Sequence, residues 1–189
     1  MKKLMTICMA IVLFCCSFAQ ANLTNAGFET GELSPWYNAR NITETETWNV
    51  TSADAHGGVY SATNVGNGEL RQDFAPIPVN NITELSYWLR QPESAISAFD
   101  FFYSDGSGYE NVVYLNTTDW QFFDVTSHLS PGKELVGFSI FGYSYGGPME
   151  DRTYLDDVTL SVAIPAPGAI ALGGVGVTLV GWLRRRKTL

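Results

Sequence analysis

The run ITELSYWLRQ at residues 82–91 puts Leu85, Tyr87 and Leu89 in one phase and Ser86, Trp88 and Arg90 in the other. A period of two over that length predicts a strand with one apolar face. The next stretch, AISAFDFFYSDGSGYENVVYLN at residues 95–116, reads as two more strands about a turn at residues 104–108, with Asp105-Gly106 as the turn signal. Downstream, WQFFDV (120–125), LVGFSIFGYS (135–144) and TYLDDVTL (153–160) are short alternating apolar runs. They are set apart by breaks such as Ser130-Pro131-Gly132 and Gly146-Gly147-Pro148. No stretch of the middle sustains a 3.6-residue period. Many short strands without intervening helices predict an all-β fold, an antiparallel sandwich or barrel.

The two ends read differently from this middle. Lys2 and Lys3, an apolar run over 4–18, and Ala19-Gln20-Ala21 have the layout of a secretory signal cleaved after Ala21. Residues 1–21 are therefore expected to be removed. All three cysteines (Cys8, Cys15, Cys16) fall inside that segment. The mature domain then has no disulfide, thiolate metal site or cysteine nucleophile, and packing must supply its stability. At the other end, residues 164–183 carry no charge, about the length of a bilayer-spanning helix, and Arg184, Arg185, Arg186 and Lys187 follow. A basic cluster there is expected to stay cytoplasmic, with Trp182 as an interfacial anchor.

Pro165 and Pro167, a Gly-rich apolar stretch and the terminal Arg184–Arg186 cluster resemble the PEP-CTERM sorting signal of bacterial exported proteins. That resemblance implies recognition by an exosortase-type membrane protease and a link to exopolysaccharide production. Ala166 departs from the pattern, where an acidic residue usually stands between the prolines. Simple retention in the membrane stays open beside processing.

The expected domain, residues 22–163, has the size of one module. It holds five basic residues (Arg40, Arg71, Arg90, Lys133, Arg152) against all nineteen acidic ones, a net charge of −14. Such a charge argues against nucleic acid and anionic lipid as partners. Five Asn-x-Ser/Thr sequons, at Asn22, Asn41, Asn49, Asn81 and Asn116, read as the composition of β-turns if the tail is a bacterial signal.

Within this domain the ordered motifs NLTNAGFETGELSPW, SADAHGGVYSA, ELRQDF, DWQFFDVTSHL and TYLDDVTL resemble jelly-roll carbohydrate-binding modules of families 4, 9 and 22, within the galactose-binding-like fold. The resemblance implies a two-sheet jelly roll. It also implies a structural calcium shared by an acid of the Gly-Phe-Glu segment and one of the last strand, here Glu29 and Asp156, with Asp157 as the alternative. Strand phase favours Asp156, which shares the face of Val158 and Leu160 and is expected to point inward. The plain alternative is a pair of solvated acids at a strand end. Trp36 and Trp120 fall at positions that resemble core positions in those modules.

Two readings fit Trp88. Beside Arg90 on the less apolar face it would form a sugar-stacking platform, joined by Tyr143 and Tyr145 from a Gly-rich stretch. In a strand with two buried faces it would belong to the core. His56 and His128 show no metal spacing, and neither a phosphate loop nor a nucleophile elbow is present. The expectation is a non-catalytic, exported module that binds polysaccharide, with a structural or adhesive surface protein as the alternative. A polysaccharide-degrading enzyme is the weakest of the three.

Overall fold

A computed structural model describes residues 23–41, 47–91, 95–114, 118–144 and 152–163. The predicted leader with Ala21, Tyr145, and the tail with Pro165, Pro167 and Arg184–Arg186 lie outside the described residues. Among the described residues no helix is long and apolar enough to cross a membrane.

Among the described residues ten strands follow one another: β1 (Tyr37–Asn41), β2 (Asn49–Thr51), β3 (Ser61–Val65), β4 (Gly68–Pro78), β5 (Ile82–Arg90), β6 (Ala95–Tyr103), β7 (Gly108–Tyr114), β8 (Gln121–Asp124), β9 (Glu134–Ser144) and β10 (Arg152–Val162). They form two antiparallel five-stranded sheets. Sheet A runs β1-β4-β9-β6-β7 and sheet B runs β2-β3-β10-β5-β8. The fold is the all-β antiparallel sandwich that the alternation predicts.

Each sheet turns one phase of its strands inward. Leu85, Tyr87 and Leu89 of β5 are fully buried, as are Phe99 and Phe101 of β6, and Phe138 and Ile140 of β9. Each such side chain contributes roughly 1.5–3 kcal/mol of transfer free energy. A continuous chain of ring contacts crosses the interior from Phe123 through Tyr87, Phe99, Phe138 and Trp36 to Phe28. Its tightest link is the Tyr87–Phe99 stack, 4.0 Å between centroids at 7°. Aromatic pairs add about 0.5–1.5 kcal/mol each beyond area burial. A core without cysteines is thus held by rings that bridge the two sheets.

Strand phase breaks once at a position that matters. In β10, Leu155 pairs with Leu89 and Asp156 with Trp88, but the register then shifts and Thr159 pairs with Ser86. The extra residue is taken up at Asp157, whose φ is 46°. A bulge of this kind reverses the phase. Leu155 lies on the core face before it, and Val158 and Leu160 lie there after it. Asp156 therefore sits on the outer face with Trp88, not on the inner face that its spacing from Val158 and Leu160 predicts.

Candidate functional site

Two outer faces are available, and the sequence expectation falls on that of sheet B. Trp88 and Arg90 share that face, because Trp88 pairs with Phe122 and with Asp156, and Arg90 with Tyr154. The loop at residues 52–60 lies over it. The His56 ring stacks on the Trp88 indole, 3.6 Å between centroids at 15°. Asp54 forms an ion pair with Arg90 and accepts a hydrogen bond from Trp120 Nε1 at 3.2 Å. Arg90 Nε donates to the Thr118 carbonyl at 2.6 Å. The indole face and the guanidinium are thus engaged in fastening a loop. Trp120, half-buried and bound to Asp54, belongs to this same outer cluster, whereas Trp36 is in the core as expected. Tyr143 belongs to β9 of sheet A, so it does not join Trp88.

The three carboxylates assigned to calcium gather at the same end. Asp156 is fully buried, and its carboxylate accepts hydrogen bonds from the main-chain N–H groups of His56 (2.9 Å), Gly57 (3.1 Å) and Asp157 (2.7 Å). Loss of water nevertheless dominates, and burial pushes its pKa up from 3.8 to about 6, with the neighbouring Asp157 charge adding to the rise. Asp157 itself meets His56 Nδ1 at 2.8 Å. Glu29 is used as a clamp: its carboxylate accepts from Val59 N at 2.9 Å and Tyr60 N at 2.9 Å. That clamp occupies the space where any side chain at residue 58 would stand, and Gly58 also has a φ of +66°, so only glycine fits.

A side chain at Gly27 would place its Cβ 3.3 Å from Asp157 Oδ1 and 3.7 Å from Asp156 Oδ1. The glycine thus leaves a cradle between two carboxylates. Among the described residues no three acidic, histidine or cysteine side chains converge as a metal cluster. A calcium ion here would take Asp156 and Asp157, with further oxygens from main-chain carbonyls.

Sheet A presents a different surface. Reading the ladders across the sheet, Tyr37 pairs with Arg71, Arg71 with Ser139, Ser139 with Asp100, and Asp100 with Glu110. One register row therefore crosses all five strands, spanning four strand spacings or about 19 Å. It alternates in phase with Leu70, Ile140 and Phe99, which face the core, so the row faces outward. Tyr37 is 42% exposed and donates its hydroxyl to Asp73 Oδ2 at 2.6 Å. Burial, then the bond to Asp73, pushes its pKa up to about 12, so the phenol stays a neutral donor. Arg71 Nε donates to Asp73 Oδ1 at 2.7 Å, and the guanidinium lies 3.7 Å over the Phe102 ring. Ser139 Oγ is buried with no hydrogen-bond partner. On one side of the row runs Glu69–Phe141–Ala98, on the other Asp73–Gly137–Phe102.

This face sets an exposed phenol beside a fixed guanidinium–carboxylate pair, with the Phe102 ring beneath the guanidinium. Such a surface can stack an apolar ring face while its polar groups meet hydroxyls at the rim. The sequence reading missed it because Tyr37, Arg71, Ser139 and Asp100 are far apart in the chain and only the ladder register aligns them.

The chain matches no protein-family model and no curated protein. Among solved structures it is similar to a family 61 carbohydrate-binding module in complex with β-1,4-galactotriose, with 20% identity and a TM-score of 0.53, covering 76% of this chain and 99% of that one. It is also similar to the K1 cleaved adhesin domain of the Lys-gingipain of Porphyromonas gingivalis W83, with 12% identity and a TM-score of 0.52, covering 78% and 100%. A third is the non-crystalline-cellulose-specific family 28 carbohydrate-binding module, with 12% identity and a TM-score of 0.50, covering 77% and 97%. At these identities the likeness is one of fold.

Proposed function

We propose that this chain is a non-catalytic module that binds polysaccharide across the outer face of sheet A. The observation that carries the reading is the β1–β4 end of the register row, where the exposed Tyr37 ring stands beside the Arg71–Asp73 donor–acceptor pair. A glycan needs contacts of both kinds, and a ring beside a donor–acceptor pair supplies them. The carbohydrate-binding modules with the same fold support this reading. The secretory-type leader and the PEP-CTERM-like tail support an exported protein that is displayed at the surface or in the matrix, sorted by an exosortase or retained in the membrane.

A pull-down of the full chain, in mild detergent, on insoluble polysaccharides tests the proposal. Retention of the parent is expected, and Arg71→Ala should weaken it by about ten- to a hundredfold, the loss of one charge-assisted hydrogen-bonding group. Circular dichroism of the variant should be unchanged. No retention on any polysaccharide would overturn the reading and favour the second one, an adhesive surface protein without a glycan ligand; the gingipain adhesin domain has the same fold.

We also propose a structural calcium at the Asp156–Asp157 corner. Its support is the Gly27 cradle and a buried carboxylate in want of positive charge.

A further inference from the structure

Resting on the glycan reading of the sheet A row, we infer that the site selects uncharged polysaccharides and turns away chains that carry uronate or sulfate groups. The cations of this face are already engaged. Arg71 is neutralised by Asp73 at 2.7 Å and laid on Phe102. Arg40, paired in register with Glu69, has its guanidinium 5.7 Å from the centre of the Phe141 ring. Against these two stand the carboxylates of Glu69, Asp73 and Asp100, and the row ends by register at Glu110. The face is therefore net negative, and it belongs to a domain of charge −14.

A hydroxyl-bearing ring uses this arrangement well. The Asp73 carboxylate and the Arg71 guanidinium lie side by side as acceptor and donor, which matches two adjacent hydroxyls. An anionic ring finds Arg71 already held by a carboxylate. It also brings its charge within a few ångströms of Asp73 and Asp100, well inside the ~8 Å over which physiological salt screens. Like charges so placed oppose binding strongly.

Affinity electrophoresis of the full chain in mild detergent would test this with matched polymers. Each neutral glucan, xylan or galactan would be run beside its own carboxymethylated derivative. The neutral member should bind about tenfold tighter or better at low salt, and added salt should narrow the gap by improving the charged member. Glu69→Lys, which reverses a charge beside the row, should narrow the gap as well and leave neutral binding in place. Equal or tighter binding of the carboxymethylated member, or its weakening by salt, would overturn charge selection while leaving glycan binding intact. Failure of every polymer, charged and neutral, would remove the glycan reading and this inference with it.

Discussion

The substitution Asp156→Asn separates what the buried carboxylate does by hydrogen bonding from what it does by charge. In the native protein one oxygen receives His56 N and Gly57 N and the other receives Asp157 N. An asparagine oxygen in the first position keeps two of these bonds, and its amide then faces the Asp157 N–H. That mismatch costs about 1–3 kcal/mol at any pH. The charge behaves differently. Because the folded pKa is raised from 3.8 to about 6, the folded protein holds a proton that the unfolded chain has released between those values. Native stability therefore falls as pH rises through this window, and the penalty is fully present above it. Between about pH 4.5 and about pH 7.5 the difference amounts to about 2 kcal/mol. Asparagine carries no such penalty. The variant's deficit should thus be about 2 kcal/mol smaller at the higher pH. Urea melts of both proteins, run with chelator at the two pH values, measure it. Parallel deficits at both pH values would refute the reasoning and mean that Asp156 is not desolvated.

Three further outcomes follow from the same geometry. Calcium added at neutral pH should raise the melting midpoint of the parent and leave Asp156→Asn unmoved, since the cation offsets a charge the variant lacks; a midpoint indifferent to calcium and chelator would remove the ion from the Asp156–Asp157 corner. Tyr87→Phe should be neutral or stabilising by up to about 1 kcal/mol, because the Tyr87 hydroxyl is buried without a hydrogen-bond partner and the ring stack stays; a loss above about 1 kcal/mol in chemical melts would reveal a hidden partner. Trp88→Ala should cost about 2–4 kcal/mol through the lost His56 and Phe122 contacts and should speed proteolysis within residues 52–60; glycan retention on sheet A should survive, and its loss in a folded variant would move the ligand to sheet B.

Much of the sandwich was legible because alternation is a local property. The phase of Leu85, Tyr87 and Leu89, and the hairpin about Asp105-Gly106, follow from neighbouring residues alone. The inward reading of Asp156 failed because a bulge is invisible to period-two counting: one added residue at Asp157 reverses every side chain beyond it. The sugar-stacking reading of Trp88 had the correct face, yet could not foresee a loop from thirty-odd positions earlier laid over it. Trp120 was assigned inward from a resemblance, whereas its indole nitrogen is drawn outward by Asp54. The row through Tyr37, Arg71, Ser139 and Asp100 depends on four ladder registers at once, which no single segment encodes.

The position of β10 has a temporal consequence. It is the last strand in the chain, yet it lies in the middle of sheet B, between β3 and β5. Until it arrives, β2–β3 and β5–β8 are separate ribbons with no shared ladder. Asp156 is likewise absent, and the loop that carries His56, a hundred residues earlier, has nothing to dock on. Closing contacts of such sequence separation is slow and comes late in folding. Sheet A needs no part of β10, so its ladder can assemble first, whereas sheet B and the docked His56 loop wait for the end of the domain.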